Sequence, residues 1–223
     1  MRRPGQPLSV RPEMFKSRQA DITRMEGAGM LAVAPLMIEH RLIERMIKVL
    51  KTELEQIASS RNPNLVLVDS AVDFIRTYAD RTHHGKEEEI LFRDLNRKNL
   101  SGKYKSAMDA LIKEHIFARK ETAALVDAKE RHLKGDLGAL AEMAAHMRTL
   151  IEFYPRHIEA EDQDFFVPVM DYFTESEQRA MLLEFHEFDR RMIHEKYEHV
   201  VRRFEVERDL PGAKAKTDWI SHL

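Results

Sequence analysis

Two histidines and three glutamates crowd the stretch THHGKEEEILF, residues 82–92, and a four-residue interval separates His83 from Glu87. Residues four apart on a helix share a face one turn up, so an imidazole and a carboxylate at that interval can reach one point. The same pair returns further along the chain as His157 and Glu161 in HIEAEDQDFF. His40, in IEHRLIER, has its echo in His115 of IKEHIFAR, at almost the same separation that divides His83 from His157. A lone pair at this spacing also forms on solvated helix surfaces. The repeated set of His40, His83, Glu87, His115, His157 and Glu161 is specific as a combination, and it points to metal binding.

Burying four imidazoles and two carboxylates together is costly without compensation, and a cation is the direct compensation. It also holds the carboxylates ionised and the imidazoles neutral. Six groups exceed the needs of one tetrahedral zinc and suit two ions. Two bridging carboxylates with two histidines per ion leave room for an oxo or hydroxo bridge and an exchangeable position. Mixed nitrogen and oxygen ligation in a helical bundle favours iron, with manganese or zinc as competitors.

Several neighbours have two readings. His84 follows His83 by about 100° around an α-helix, as a fifth nitrogen ligand or as an outer or exposed group. Glu88 and Asp162 compete with Glu87 and Glu161 as carboxylate donors, and the repeat favours the latter pair. His146 reads as solvated before it reads as a hydrogen-bonding neighbour of the site. Tyr154 reads as a core aromatic before it reads as a donor to a bound oxygen species. His186, His194 and His199 alternate with Glu and Arg as on a solvated face, beside core candidates Met181, Leu182, Phe185, Phe188 and Met192.

Five helices must position these groups. Residues 35–58 carry Leu36, Ile43, Ile47, Leu50 and Leu54 on one 3.6-residue stripe, with Pro35 suited to a first helical position. A second helix spans 65–97 and a third 103–132, rich in Ala, Lys and Glu. The fourth follows the KGDLG turn and ends near Val167 before Pro168, with Pro155 demanding a bend or an irregularity. The fifth opens on TESE, where Thr174 and Glu177 make a capping box, and runs to Pro211. No run alternates as strands do, so the expected fold is all-α: an up-down antiparallel four-helix bundle with an additional C-terminal helix. The expected divisions are an arm at 1–32, the bundle at 33–170, the added helix at 171–210 and a tail at 211–223.

Composition narrows the function. Thirty-six Lys and Arg against 38 Asp and Glu, with 11 His, create no basic face for nucleic acid. Cysteine is absent, so any metal must be held by nitrogen and oxygen. The opening stretch MRRPGQPLSVRPEMFKSRQAD reads as neither a secretory signal nor a membrane anchor, and a cytoplasmic location is expected. Length permits a monomer or a homodimer and identifies no protein partner.

The residues His40, HHGKEEEILF, His115 in EHIFAR and HIEAEDQDFF together resemble the hemerythrin-like, or HHE cation-binding, domain over roughly 33–170. That resemblance implies a four-helix bundle around a non-haem di-iron centre. It carries ligand roles to His40, His83, Glu87, His115, His157 and Glu161, with the two glutamates as bridges. Oxygen-carrying hemerythrins place a second histidine four after the first on the third ligand helix; here that position is Arg119, which counts against stoichiometric reversible oxygen storage. Asp162 could fill the carboxylate slot of those carriers, but Glu161 suits the hemerythrin-like branch better. The implied activity is reaction with, or binding of, a small oxidant such as oxygen, peroxide or nitric oxide. The alternative is an iron or oxygen sensor whose last helix passes metal occupancy to a partner.

Overall fold

The computed structural model describes residues 31–207, without side chains at 193–195 and 197–207. The expectations for the arm, the tail, His194 and His199 therefore lie outside the described residues. Helix α1 is Ala34–Ser60, with Pro35 in its first turn, and its stripe buries Leu36, His40, Ile43, Ile47, Leu50, Glu53 and Ile57. Leu54 is only partly buried. Glu53 takes a place on the stripe because its carboxylate accepts from the Asn64 amide at 2.7 Å, securing the turn into the next helix.

Helix α2 covers 65–95 and starts at Asn64, whose side chain accepts from the Leu67 amide. It is not a plain α-helix. Ile75–His84 and Glu87–Phe92 form π-helical turns, in which bonds reach back five residues. The Thr82 hydroxyl reinforces the wide turn by donating to the Thr77 carbonyl. Helix α3 is Gly102–Leu133. Helix α4 is Ala139–Glu159, continued by a π-turn over Ala160–Phe165 and a short α-turn over Phe166–Val169. Pro155 lies inside the α-helical span, and the wide turn begins only five residues after it. Pro168 does not stop the helix, contrary to the expectation: it sits in the first turn after the interruption, where a missing N–H leaves no α-helical bond unmade.

The helices neighbour one another in the ring α1, α2, α3, α4, as up-down connectivity requires. Among the described residues there is no strand, and no helix is long and apolar enough to cross a membrane. One apolar layer draws on all four helices, with Leu50, Val68, Ile75, Leu125, Met143 and Leu150 at its heart. A second holds Leu91, Phe92, Leu95, Met108, Phe165 and Phe166. His40, His83, His115 and His157 fall between these layers along every helix. Burying each such aliphatic or aromatic side chain contributes about 2 kcal/mol, which lets the bundle tolerate a polar layer in its middle.

Helix α5, Glu175–Glu207, lies against the π-turns of α2. The predicted capping box is formed: the Glu177 amide donates to Thr174 Oγ1 at 3.3 Å and the Thr174 amide to Glu177 Oε2 at 2.8 Å. Met181, Phe185 and Phe188 are buried on α2, whereas His186 is exposed. Close approach depends on Gly85, because a Cβ there would sit 2.7 Å from Phe188 Cζ and 3.1 Å from Cε1. The buried ammonium of Lys86 pairs with Glu39 of α1 and, at 2.8 Å, with Asp189 of α5. Replacing Gly85 by Ala should displace Phe188 and lower stability by about 1–3 kcal/mol. Chemical denaturation should show that loss, with faster proteolytic cleavage within α5; an unaltered midpoint and cleavage rate would contradict the proposed contact.

Candidate metal centre

The two π-turns of α2 decide which side chains enter the bundle. A wider helix takes a smaller angular step per residue, so adjacent residues can both face inward. His83 and His84 are each 1% exposed, and Lys86 and Glu87 are fully buried. On α4 the π-turn at Ala160–Phe165 buries Glu161, the repeat's counterpart of Glu87, in the same manner.

All six residues singled out from the sequence converge. His40, His83, Glu87 and Glu161 form one buried group, with a potential ligand atom of each within 4.8 Å of the others. His115 and His157 form a second group with the same spacing, and its third member is His84. The carboxylates span the two groups. Glu87 Oε1 lies 3.2 Å from His83 Nε2 and its Oε2 lies 3.3 Å from His115 Nε2. Glu161 Oε2 lies 3.1 Å from His40 Nε2, while its Oε1 lies 3.4 Å from His157 Nε2 and 3.7 Å from His115 Nε2.

Orientation of the rings comes from a surrounding set of carboxylates. His40 Nδ1 donates to Asp162 at 2.8 Å, His83 Nδ1 to Glu39 at 2.9 Å, His115 Nδ1 to Glu88 at 2.7 Å and His157 Nδ1 to Glu114 at 2.7 Å. An ionised carboxylate only accepts, so each Nδ1 carries a proton and each Nε2 is the nitrogen that faces inward. Glu88 and Asp162 therefore hold histidines from outside and do not replace Glu87 and Glu161. These partners follow the repeat as well: Glu39 and Glu114 precede His40 and His115, while Glu88 and Asp162 follow Glu87 and Glu161. Periodic acidic neighbours were the signal by which the sequence could have disclosed them.

Inside this frame, eight nitrogen and oxygen atoms are buried without a hydrogen-bond partner: Nε2 of His40, His83, His115 and His157, and both carboxylate oxygens of Glu87 and Glu161. They approach one another at contact distance but outside hydrogen-bonding alignment. Such a concentration of orphaned donors to a cation is what metal ligation would satisfy. Protons meet part of the same demand. Burial opposes charge on His83, yet Glu87 and Glu39 outweigh it and push the imidazole up to about 10. Burial likewise opposes charge on His115, but Glu161, Glu87 and Glu88 drive it up to about 11. Burial raises Glu161, as does Glu87, but His157, His115 and His40 bring it down to about 2. His84 behaves oppositely: burial, together with charge on His115, pushes it well below its ordinary value, so it enters the group neutral.

Three other residues resolve plainly. Arg119 points outward, donating to Asp80 at 2.6 Å and Glu88 at 2.7 Å. The second group receives its third imidazole from His84 instead, whose ring stacks on His115 with centroids 3.9 Å apart. His146 is a partly buried partner of Glu121 at 2.9 Å and belongs to neither group. Tyr154 is a buried core aromatic, with its hydroxyl unpartnered.

The family profile described as Hemerythrin HHE cation binding domain matches residues 31–169. No curated protein and no solved structure matches the chain. Changing Glu114 to Gln should keep the hydrogen bond to His157 while weakening its charge, and should loosen metal retention by about tenfold to a hundredfold. Chelator competition would measure this, and retention equal to that of the unaltered protein would show the Glu114 contact to be incidental.

Proposed function

Because the chain belongs to the hemerythrin HHE cation-binding domain family, we propose that it is a non-haem di-iron protein that reacts with or binds a small oxidant. The carrying observation is the set of eight inward atoms without partners, facing one another across two groups. In this reading His40 and His83 would hold one ion and His115, His157 and His84 the other, with Glu87 and Glu161 shared between the two groups. Mixed imidazole and carboxylate donors suit iron, with manganese or zinc as substitutes. Bound there, a reduced pair of iron ions would supply electrons to oxygen, peroxide or nitric oxide and would itself be oxidised in doing so.

The chain's own residues do the rest. Asp162, Glu39, Glu88 and Glu114 fix the imidazole tautomers, so ligand geometry persists when the charge of the centre changes. Phe166 stacks on His40 with centroids 5.6 Å apart and Phe153 on His157 at 5.1 Å, shielding the donors from water on either side. Arg119 stands where a paired histidine would, and His84, stacked on His115, brings the third imidazole to that group. The near-even charge balance offers no basic face for nucleic acid, and a cytoplasmic location is part of the proposal.

One observation favours a sensor as a second reading. His83 bonds Glu39, Glu39 bonds Lys86, and Lys86 bonds Asp189 of α5. A change at His83 thereby reaches a helix outside the family match through three contacts.

Protein prepared without a metal-affinity tag under iron-replete anaerobic conditions should contain about two irons per chain. Seven groups for two ions set that expectation, and absence of bound metal would defeat both readings. Stopped-flow mixing of the reduced protein with each oxidant should give at least one reaction faster than iron in buffer. If none is faster, the catalytic version fails. Under the sensor reading, iron removal should speed protease cleavage within α5, and equal cleavage with and without metal would remove that reading.

A further inference from the structure

The four outer acids do not lie equally deep. The side chains of Asp162 and Glu39, which hold His40 and His83, are 13% and 14% exposed, and that of Glu88, on His115, is 29% exposed. Glu114, on His157, is 42% exposed. The ring neighbours follow the same order. His40 stacks on Phe166, and His115 on His84 and Phe92, all of them buried. His157 stacks instead on Phe153, which is only partly buried and whose ring lies 5.4 Å from that of Phe117. Phe117 is 40% exposed and stands three residues after Glu114, on the same flank of α3. By both contacts, a carboxylate and a phenyl ring, His157 thus lies within a group or two of solvent on one side of the bundle.

The repeat gives this face a counterpart. Shifted by the intervals that carry His40 to His115 and His83 to His157, Glu39 becomes Glu114 and Lys86 becomes Ala160. Glu39 and Lys86 are where α5 docks, through Asp189 and against the π-turns of α2. The first half is sealed over its outer acid, whereas the copied surface between α3 and α4 keeps Glu114 and Phe117 open among the described residues. Cations surround it. Lys113 and Lys120 stand about a turn to either side of Phe117, and Arg156 about a turn beyond Phe153. All three are exposed, and among the described residues none of them pairs with a carboxylate. The acids beside Phe117 on α3, Glu114 and Glu121, are held by His157 and His146. Glu152 lines the groove on the other flank of α4, and the next acids, Asp109 and Glu159, lie beyond Lys113 and Arg156.

We propose that this α3–α4 face, centred on Phe117, is where electrons enter, and that its partner is a small electron-carrier protein with an acidic surface. The inference rests on the di-iron reading, which leaves an oxidised pair after reaction with an oxidant and therefore needs a source of electrons. Reduced carriers dock in turn; each is oxidised by one electron, which reduces one ferric ion, and no bond is made or broken. Phe117 is the apolar centre of the contact, and Lys113, Lys120 and Arg156 supply the steering charge. Phe153 and Glu114 lead inward to His157 through the fewest buried groups. The groove between α1 and α4 also carries cations, Lys48, Lys51 and Arg148, but neither a ligand of the centre nor an outer acid lines it.

A plant-type ferredoxin, a small acidic iron–sulfur protein that carries single electrons, is the probe. Its reduced form is mixed in stopped flow with the oxidised, iron-loaded full chain at low and high salt, beside dithionite, which is small and needs no docking face. The unaltered chain is compared with the combined variant Lys113→Glu, Lys120→Glu and Arg156→Glu, with Phe117→Ala, and with Lys48→Glu and Lys51→Glu together as a control on the other groove. Reduction by ferredoxin should slow about tenfold or more in the combined variant and lose most of its salt dependence. It should slow about threefold to tenfold in Phe117→Ala, with iron content and the dithionite rate unchanged and the control close to the unaltered chain. Independently of iron, a carbodiimide should couple ferredoxin carboxylates to Lys113 and Lys120 in preference to Lys48 and Lys51, as read by peptide mapping. Ferredoxin rates alike in every variant, an equal loss in the control or with dithionite, or cross-links spread over both faces would overturn the assignment, while reduction by dithionite still reports an iron centre. If the unaltered chain holds no iron, the di-iron reading falls, and electron entry falls with it even where cross-links form.

Discussion

Two carboxylates buried at the centre of a helical bundle set the terms for everything around them. Glu87 and Glu161 are fully buried, where an isolated negative charge is prohibitively expensive. Four histidines on four different helical segments answer them, which ties each helix to the other three at one level. The apolar layers above and below supply the stabilisation that makes this polar layer tolerable. Outer acids at Glu39, Glu88, Glu114 and Asp162 then keep each ring from rotating away. Folding and donor assembly are therefore one event, and a cation that binds the assembled donors favours the folded chain by mass action.

Duplication accounts for much of the arrangement and its exceptions carry the chemistry. The inward groups, the outer acids and one pair of π-turns all recur at a nearly constant interval along the chain. Symmetry fails at His84 and Ile158, at Thr122 and Ile47, and at Arg119 and Glu44. It also fails at Lys86, whose counterpart is Ala160. His84, Thr122 and Arg119 line one small cavity and Lys86 meets α5, so the two halves share a scaffold without sharing their surroundings.

The bundle and its six inward residues could be read from the chain because period and spacing are properties of neighbouring positions. Stripes such as Ile43, Ile47 and Leu50 announce a helix, and four-residue His and Glu pairs announce a shared face. His84 could not be settled that way. An α-helical step of about 100° turns it aside from His83, and only the π-turn brings both inward. Nothing local in IRTYADRTHH distinguishes a five-residue hydrogen-bond ladder from a four-residue one. Pro168 misled for a related reason, since a proline that would stop a regular helix is harmless just after an interruption. Lys86 reads as a surface charge in a run of charges, because its two acidic partners, Glu39 and Asp189, sit on other helices far along the chain.

Lys86 also bears on how this chain can have changed over time. The family match ends at Val169, yet the ammonium of Lys86, inside the matched region, is paired with Asp189 beyond it. Gly85 beside it is cut to fit Phe188. The helix beyond the matched module is thus fitted to side chains inside it. Shedding that helix would take one of the two acidic partners of Lys86 and leave Gly85 with no ring to admit. Descent should then preserve Gly85, Lys86, Phe188 and Asp189 as a linked set, inherited or abandoned together.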